Sequence, residues 1–494
     1  MRMRNEQLKT GKALAWIDGT EKSKSRVLLF LVQGADDIAL LDALQDACRA
    51  RIESHSYGGF SWHAVADPGQ ISLVDRRLFS ADIHRFEVCE FQSLNGEQLA
   101  CLLSPIIDHL AAGDSELLPR VGGAVGGPAE GIQFLDRSSE VQHLITAIRE
   151  GRSMFLQAPR RMGKTSLMRR VKGELEGEFT TVSLNLERDP SPAECAARLR
   201  SMVTGEGFHT ALKAARQDPP TVVGQSVQAL CSRSEKPVVL FVDELVALFE
   251  GIKLQDRGEE DRRSQALRFL LSLAEPPNAN AARLVVAGSV NWQTYLEAEL
   301  QVTQDELPSF FSGLEKVVVH PLDMAHPECE LRALLLGSGL VAEPADMQWL
   351  LENVDLALPF PAMKLLDSVL AETKQQQRID PSALDELLRD FLMTTDSFAD
   401  FDAHLRSKCP VPGAVERVSE ALTAIAFPPF ELGVSEAAVS TALSGGDGGD
   451  AHRLEAWFFD TFPVKAEGGR TRFVPRLFRQ WWRSQIAKES VKND

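Results

Sequence analysis

The sequence has few cysteines, and none stands in a metal-binding arrangement. Its 7 cysteines are odd in number, widely scattered and without C-x-x-C spacing, which is typical of reduced thiols and indicates no zinc site. No apolar segment of a signal peptide follows the basic residues 1–4, and the apolar run at residues 27–32 is too short to span a bilayer. We therefore expect a cytoplasmic protein without a membrane contact.

Positive charge is also scarce. The sequence has 53 Lys and Arg against 70 Asp and Glu, a net charge of −17. This balance disfavours association of the whole surface with nucleic acid or anionic lipid, so any contact with DNA must come from a local patch. The glycine-rich loop, the β3 lysine and the H-R-D set of protein kinases are absent in the required order, which argues against a kinase.

The sequence does contain a pattern typical of a phosphate-binding loop. Residues 158–166 read APRRMGKTS, follow a short apolar run and precede a helical pattern. This strand–loop–helix order fits the relaxed form [AG]-x4-G-K-[ST], whose backbone N–H groups and helix N-terminus bind phosphate. We expect Lys164 to neutralise the β- and γ-phosphates of ATP and Thr165 to ligate Mg²⁺. The predicted nucleotide-binding residues of the loop are Ala158, Pro159, Arg160, Arg161, Met162, Gly163, Lys164, Thr165 and Ser166.

A continuous apolar run at residues 237–242 ends in two carboxylates. Such a run predicts a strand buried on both faces of a parallel sheet. Asp243 suits the outer sphere of Mg²⁺, and Glu244 suits the base that polarises a water for attack on the γ-phosphate. Taken alone, the pair also fits a strand end covered by solvated charge. The phosphate loop upstream favours the catalytic interpretation.

A glycine-rich stretch at residues 119–131 predicts a linker, because it has too little side chain to offset the entropy of ordering. Residues 1–118 before it predict a small α/β module with strands at 26–32 and 86–91 and helices at 36–50 and 95–112. No motif gives this module a role. We expect a protein partner to bind there.

Several segments, taken in chain order, resemble the STAND and archaeal-type P-loop ATPases, relatives of the AAA+ class. Residues 134–141 (FLDRSSEV) are similar to the family's F-x-x-R-x-x-E-L box, residues 156–171 to its phosphate loop, and residues 238–249 to its Walker B strand. The remaining matches are to the second strand, the sensor-1 strand and the last core strand, at residues 182–199, 284–292 and 310–323.

The resemblance implies an α/β P-loop NTPase with a parallel sheet in the order 5-1-4-3-2, a helical lid and a carboxyl-terminal winged helix. The implied boundaries are 132–322 for the core, 323–410 for the lid and 411–494 for the winged helix. It also implies that Arg137 lies at the nucleotide and that Ser289, or else Asn291, lies near the γ-phosphate.

The sequence departs from the family pattern at a catalytic position. Where relatives often carry an arginine, this chain has Leu314, and the sequence contains no arginine between Arg283 and Arg332. An arginine finger contributes roughly 10³ to 10⁵ in rate, so we expect slow hydrolysis unless another chain of a homo-oligomer supplies the charge. Lys316 is a weak substitute. Arg160 and Arg161 either touch phosphate or a neighbouring subunit, or pair with acidic residues and solvent.

The carboxyl-terminal residues show three helical patterns, at 414–427, 435–443 and 451–459, followed by a hairpin pattern around Gly468 and Gly469. This is the element order of a winged helix. Its basic side chains are Lys465, Arg470, Arg472, Arg476, Arg479 and Arg483. Two interpretations remain open: the unit contacts DNA phosphates, or it packs on the ATPase core and regulates it.

These patterns favour a slow, ATP- and Mg²⁺-dependent ATPase that acts as a nucleotide-gated switch toward a partner. The resemblance adds bacterial defence or signalling as a setting. One alternative is a DNA-binding or DNA-remodelling ATPase similar to origin-recognition initiators or transposition helpers. Another is a scaffold that holds nucleotide without hydrolysing it, against which Glu244 argues.

Overall fold

The computed structural model describes five strands between residues 3 and 85, residue 121, and most of residues 137–493. The gaps within the last range are 159–160, 189–190, 256–257, 275–281, 289–291, 323–326, 339, 341, 343, 374–380, 430–431 and 446–447. The chain divides into two compact units, one of residues 1–136 with 322–397 and one of residues 137–321 with 398–494. Each unit is therefore built from two separate stretches of sequence.

The first unit contains a mixed sheet in the order β1-β2-β3-β4-β5. β1 and β2 pair antiparallel, as do β2 and β3, whereas β3 with β4 and β4 with β5 pair parallel. The strands are Met3–Gln7, Ala13–Ile17, Arg26–Val32, Phe60–Ala66 and His84–Arg85. The strand predicted at residues 26–32 is confirmed. The predicted helices at 36–50 and 95–112, the strand at 86–91 and the linker at 119–131 lie outside the described residues, apart from residue 121.

The second unit contains a five-stranded parallel sheet in the order β10-β6-β9-β8-β7. The strands are Met154–Gln157, Thr180–Asn185, Val238–Asp243, Ala282–Gly288 and Glu315–Val318 for β6 to β10. The expected order 5-1-4-3-2 is thereby confirmed. Every residue of β8 is buried, as its unbroken apolar sequence predicts. The register pairs Asn185 with Asp243, so these two strands end side by side.

Helices accompany this sheet along the chain, and one of them begins with a side-chain cap. The third helix begins after Ser191, whose hydroxyl accepts the N–H of Glu194, and Pro192 occupies its first turn. The helices α1 to α9 are Ser138–Arg149, Lys164–Leu175, Pro192–Thr204, Phe208–Ala215, Pro219–Arg233, Leu245–Lys253, Glu259–Ala274, Trp292–Leu300 and Ser309–Ser312.

The predicted lid region supplies four helices to the first unit. They are α10 to α13, at Pro327–Gly337, Pro344–Asn353, Pro359–Thr373 and Pro381–Thr394. α10 contacts β4, and the N–H of Val121 donates to the Ser338 hydroxyl at 2.9 Å. The amino-terminal strands and the lid helices, which the sequence boundaries separate, thus group into one unit.

An aromatic cluster organises the carboxyl-terminal part of the second unit. The rings of Phe398 and Phe401 lie 5.6 Å and 4.9 Å from that of Phe478. The helices α14 to α18 are Ala399–Lys408, Val415–Ala426, Glu436–Leu443, Gly448–Thr461 and Arg476–Asn493. Because α14 carries Phe401, it packs with this part. The predicted boundary between lid and winged helix at residue 410 stays a prediction.

A small sheet completes this part, in the order β11-β13-β12 with strands Val434–Ser435, Val464–Glu467 and Arg470–Phe473. Gly468 and Gly469 form the turn of the predicted hairpin, and their φ angles of 60° and 75° suit a tight primed turn. Lys316 Nζ on the edge strand β10 lies 3.5 Å from Asp460 Oδ1 on α17. The predicted helices and hairpin are present, while their identity as a winged helix stays a prediction.

Candidate functional site

The side chain of Lys164 folds back to the residue that follows β6. Gly163 adopts a φ of +85° at the start of α2, a conformation that glycine reaches without a steric penalty. Lys164 is 5% exposed, and its Nζ donates to the carbonyl oxygen of Ala158 at 2.8 Å. The ammonium group therefore lies inside the loop, where the sequence predicts phosphate.

Asp243, at the carboxyl end of β8, faces the first turn of α2. Thr165 Oγ1 donates to Asp243 Oδ2 at 2.6 Å. Asp243 is 6% exposed, and its Oδ1 is buried without a hydrogen-bond partner. Burial raises the pKa of Asp243 above its ordinary value, and the hydrogen bond from Thr165 opposes this effect. A buried carboxylate oxygen beside a threonine hydroxyl fits a Mg²⁺ ligand set, since this ion prefers oxygen donors.

Glu244 follows directly and has an unusual backbone. Its φ of 56° and ψ of 55° are left-handed, a conformation that strains a residue with a Cβ. Its Oε1 lies 3.9 Å from Lys164 Nζ. Arg161, in the phosphate loop, also has a positive φ, of 67°. Strained residues of this kind cluster at functional sites, and here both flank Lys164.

The structure places other predicted site residues less centrally. The side chain of Met162 is buried in the core, so only its main chain is available to a nucleotide, and Arg161 is exposed. Pro159, Arg160, Ser289 and Asn291 lie outside the described residues. Their predicted roles stay predictions.

Arg137 is buried beside the phosphate loop, with its guanidinium already engaged. It donates to Glu140 Oε1 at 2.9 Å, to the carbonyl oxygen of His320 at 2.9 Å and to that of Met162 at 2.8 Å. These contacts support the shape of the loop. The predicted contact of Arg137 with nucleotide stays a prediction.

One acidic residue of the site was missed by the sequence reasoning. Burial raises the pKa of Asp243 most and the charge of Glu244 adds to it, while Glu187, in the loop after β7, makes the smallest contribution in the same direction. Its position follows from Asn185, whose Oδ1 accepts the N–H groups of Glu187 and Arg188. An asparagine at the end of a strand next to the Walker B strand, with an acid two residues on, is the signal that could have found it.

Arginines of the carboxyl-terminal part use their donors within the protein. Arg479 and Arg483 both donate to the carbonyl oxygen of Ala426, at 2.7 Å and 2.8 Å, at the end of α15. Arg470 donates to the carbonyl oxygen of Leu432 at 2.8 Å. These bonds reduce what the basic residues can offer to phosphates, and the predicted DNA contact stays a prediction.

The part of the chain that the structure describes contains no group of three or more His, Cys, Asp or Glu side chains able to hold a metal ion. None of the described helices has the length and apolar character needed to cross a bilayer.

Comparison with known proteins agrees with this geometry. Residues 154–306 match the model of the ATPase family associated with various cellular activities (AAA). The stretch that holds the site thus matches an AAA ATPase domain. It spans β6 to α8 and includes Lys164, Asp243 and Glu244, and the parallel sheet around it has the strand order of a P-loop NTPase. No curated protein sequence matches the chain.

A solved structure shares the fold at low sequence identity. A Walker-type ATPase of Pyrococcus abyssi matches with a TM-score of 0.50 and 14% identity, over 74% of this chain and 99% of that one. The ORC1 protein of Aeropyrum pernix, solved in complex with DNA, matches with a TM-score of 0.33 and 14% identity, over 72% and 92%. The similarity to the Pyrococcus abyssi protein concerns the fold alone.

Proposed function

We propose that this protein binds ATP with Mg²⁺ at the loop of residues 158–166 and hydrolyses it slowly. The observation that carries the proposal is the meeting of Lys164, Thr165, Asp243 and Glu244 at one edge of a parallel sheet. Lys164 is held inside the loop, Thr165 and Asp243 are in hydrogen-bond contact, and Glu244 lies beside the lysine. A nucleoside triphosphate with its magnesium ion is the ligand that would contact all four groups.

Each side chain has a distinct part in the proposed reaction. Lys164 exchanges its bond to the Ala158 carbonyl for the β- and γ-phosphate oxygens and neutralises their charge. Thr165 and Asp243 hold the magnesium ion, which supplies charge stabilisation to the phosphates when bound. Glu244 orients a water toward the γ-phosphate and accepts its proton. Its left-handed backbone is of the strained kind that clusters at functional sites, which supports this role.

The rate is expected to be low because a catalytic arginine is missing at the usual position. Leu314 occupies that position. Lys316, the nearest cation in sequence, pairs with Asp460 in the carboxyl-terminal part. An arginine finger supplied by a second copy in a homo-oligomer would raise the rate.

Slow hydrolysis suits a switch whose state depends on the γ-phosphate. In this proposal, loss of the γ-phosphate relaxes the helical lid and the carboxyl-terminal winged helix. A protein partner bound through residues 1–118 reads the change. The Lys316–Asp460 pair supports a regulatory role for the winged helix, because it joins that part to the edge strand of the ATPase sheet.

The proposal is tested by nucleotide binding and phosphate release with three variants. Lys164→Ala should weaken ATP binding by about tenfold or more, since it removes a charge-assisted contact. Glu244→Gln should bind ATP as tightly as the parent and release phosphate at the background rate. Glu260→Gln removes an exposed acid outside the site and should change neither measurement.

Two outcomes would contradict the proposal. If Lys164→Ala bound ATP as tightly as the parent, the loop of residues 158–166 would not be the ATP site. Equal background phosphate release by the parent and Glu244→Gln would leave a scaffold that holds nucleotide without hydrolysing it. Light scattering with a slowly hydrolysed ATP analogue tests the oligomer, because a monomer at saturating analogue would exclude an arginine from a second copy.

A further inference from the structure

Arg137 has the geometry of a clamp that connects three separate parts of the chain. It precedes α1 and is 4% exposed. Its acceptors are Glu140 on α1, the carbonyl of Met162 in the phosphate loop, 25 residues away, and the carbonyl of His320 after β10, 183 residues away. A planar guanidinium carries donors on three nitrogens in a rigid fork, and Arg137 uses two of these nitrogens, whereas an ammonium group has all its donors on one nitrogen.

The buried positive charge of Arg137 is stabilised by the carboxylate of Glu140. Burial lowers the pKa of Arg137 from its ordinary value, and Glu140 opposes that effect. Burial also acts to raise the pKa of Glu140, but the hydrogen bond from Ser139 and the charge and hydrogen bond of Arg137 hold it below its ordinary value. A buried cation with a carboxylate partner and two carbonyl acceptors is a satisfied structural group.

The contact with Met162 sets the direction of the next peptide. In a planar trans peptide, the carbonyl oxygen and the following N–H point in opposite directions. Because Arg137 holds the Met162 oxygen, the N–H of Gly163 is turned away from the guanidinium. A Cβ at Gly163 would lie 3.9 Å from Arg137 Nε, so the guanidinium covers the loop closely at this residue. Loop N–H groups aimed inward are what phosphate binding requires.

We propose that Arg137 is a positioning residue that fixes the phosphate loop against the end of β10, and that it does not itself bind nucleotide. The inference rests on the proposed function, because the benefit of a fixed loop is tighter nucleotide binding. His320 also precedes Pro321, the last residue of the stretch 137–321. Arg137 therefore connects the phosphate loop to the place where the chain leaves its unit.

Binding measurements separate a positioning role from a ligand role. Arg137→Gln should weaken the binding of ATP and of ADP by the same factor of about ten, because a disordered loop lowers the affinity for both nucleotides. Arg137→Lys should behave like Arg137→Gln, since one ammonium cannot replace the fork. Arg149→Gln is the matched control, because Arg149 makes a two-point contact with Glu178 outside the loop and should bind both nucleotides like the parent.

Three outcomes would overturn the proposal. Recovery of binding by Arg137→Lys, or a loss for ATP much larger than for ADP, would mean that the charge touches phosphate. Unchanged affinity of the folded Arg137→Gln protein, with only a lower melting temperature, would mean that Arg137 stabilises the fold without positioning the loop.

Hydrogen exchange without nucleotide tests the same inference when ATP binding itself fails. Arg137→Gln should speed exchange in peptides covering residues 161–167 and 317–322, and Arg149→Gln should leave both unchanged. If the parent protein bound no ATP, the proposed function would fail, while faster exchange at these two places would still support the connection. Unchanged exchange at both would contradict it.

Discussion

The hydroxyl of Thr165 donates a hydrogen bond of 2.6 Å to Oδ2 of Asp243, across 78 residues of sequence. The bond joins the first turn of α2 to the end of β8, and both groups are predicted magnesium ligands. The hydroxyl oxygen of Thr165 keeps its lone pairs for a magnesium ion, which would bind beside the carboxylate that accepts the threonine proton. The pair therefore links metal binding to the packing of a helix on a strand.

Removing either partner should abolish the magnesium dependence of ATP binding. We expect the parent to bind ATP at least about tenfold more tightly with Mg²⁺ than with EDTA, and Thr165→Ala and Asp243→Asn to show a ratio near one. Calorimetry in the two buffers measures it. Thr180→Ala is the control, because its hydroxyl pairs with Ser234 and should leave the ratio as in the parent. A ratio retained by both site variants would place the ion elsewhere.

Asp243→Asn should make the nucleotide-free protein more stable. Burial raises the pKa of Asp243, so its ionised form is unfavourable in the fold at neutral pH. A neutral amide still accepts the Thr165 hydroxyl, and we therefore expect a higher urea midpoint for Asp243→Asn. Urea denaturation without nucleotide checks this. A lower midpoint for Asp243→Asn would show that the carboxylate stabilises the site.

Gly433→Ala should damage the carboxyl-terminal part more than Gly468→Ala does. Both glycines have a positive φ, but a Cβ at Gly433 would lie 2.5 Å from the Thr471 carbonyl oxygen, whereas nothing lies within 4 Å of one at Gly468. We expect losses of about 3 kcal/mol and about 1 kcal/mol, respectively. Thermal unfolding of the two variants gives the difference. Equal losses would mean that β13 moves away at little cost.

Asp218 should stabilise the protein at neutral pH and lose its effect in acid. The hydrogen bond from Thr221 and the ion pair with Arg268 hold the pKa of Asp218 below its ordinary value, against desolvation. A lowered folded pKa means that the stabilisation is present above the unfolded pKa and disappears as the pH falls through the folded pKa. Asp218→Asn should therefore melt slightly lower than the parent at pH 7. The two curves should converge in acid, and a gap independent of pH would contradict the assignment.

The sequence was sufficient where local pattern decides the structure. The apolar residues before Ala158 and the G-K-T-S motif predict strand, loop and helix, and the unbroken run before Asp243 predicts a buried strand. These short segments carry enough information because their neighbours in space repeat the same α/β arrangement.

The sequence was insufficient where parts of the chain that are distant in sequence come into contact. The carbonyl acceptors of Arg137 and Arg479 are main-chain groups without a residue signature, so no spacing could reveal them. The place of α14 depends on the ring of Phe401 against Phe478, a contact between residues far apart in sequence. Propensity gives the helix, whereas tertiary packing decides the unit to which it belongs.

The discontinuous second unit also bears on synthesis. Within this unit, residues 137–321 leave the ribosome before residues 398–494, and the stretch 322–397 that belongs to the other unit is made between them. Domains generally fold as units during translation. The phosphate loop, Asp243 and Glu244 are therefore all synthesised long before Asp460. Until Asp460 leaves the ribosome, Lys316 on β10 lacks this ion-pair partner.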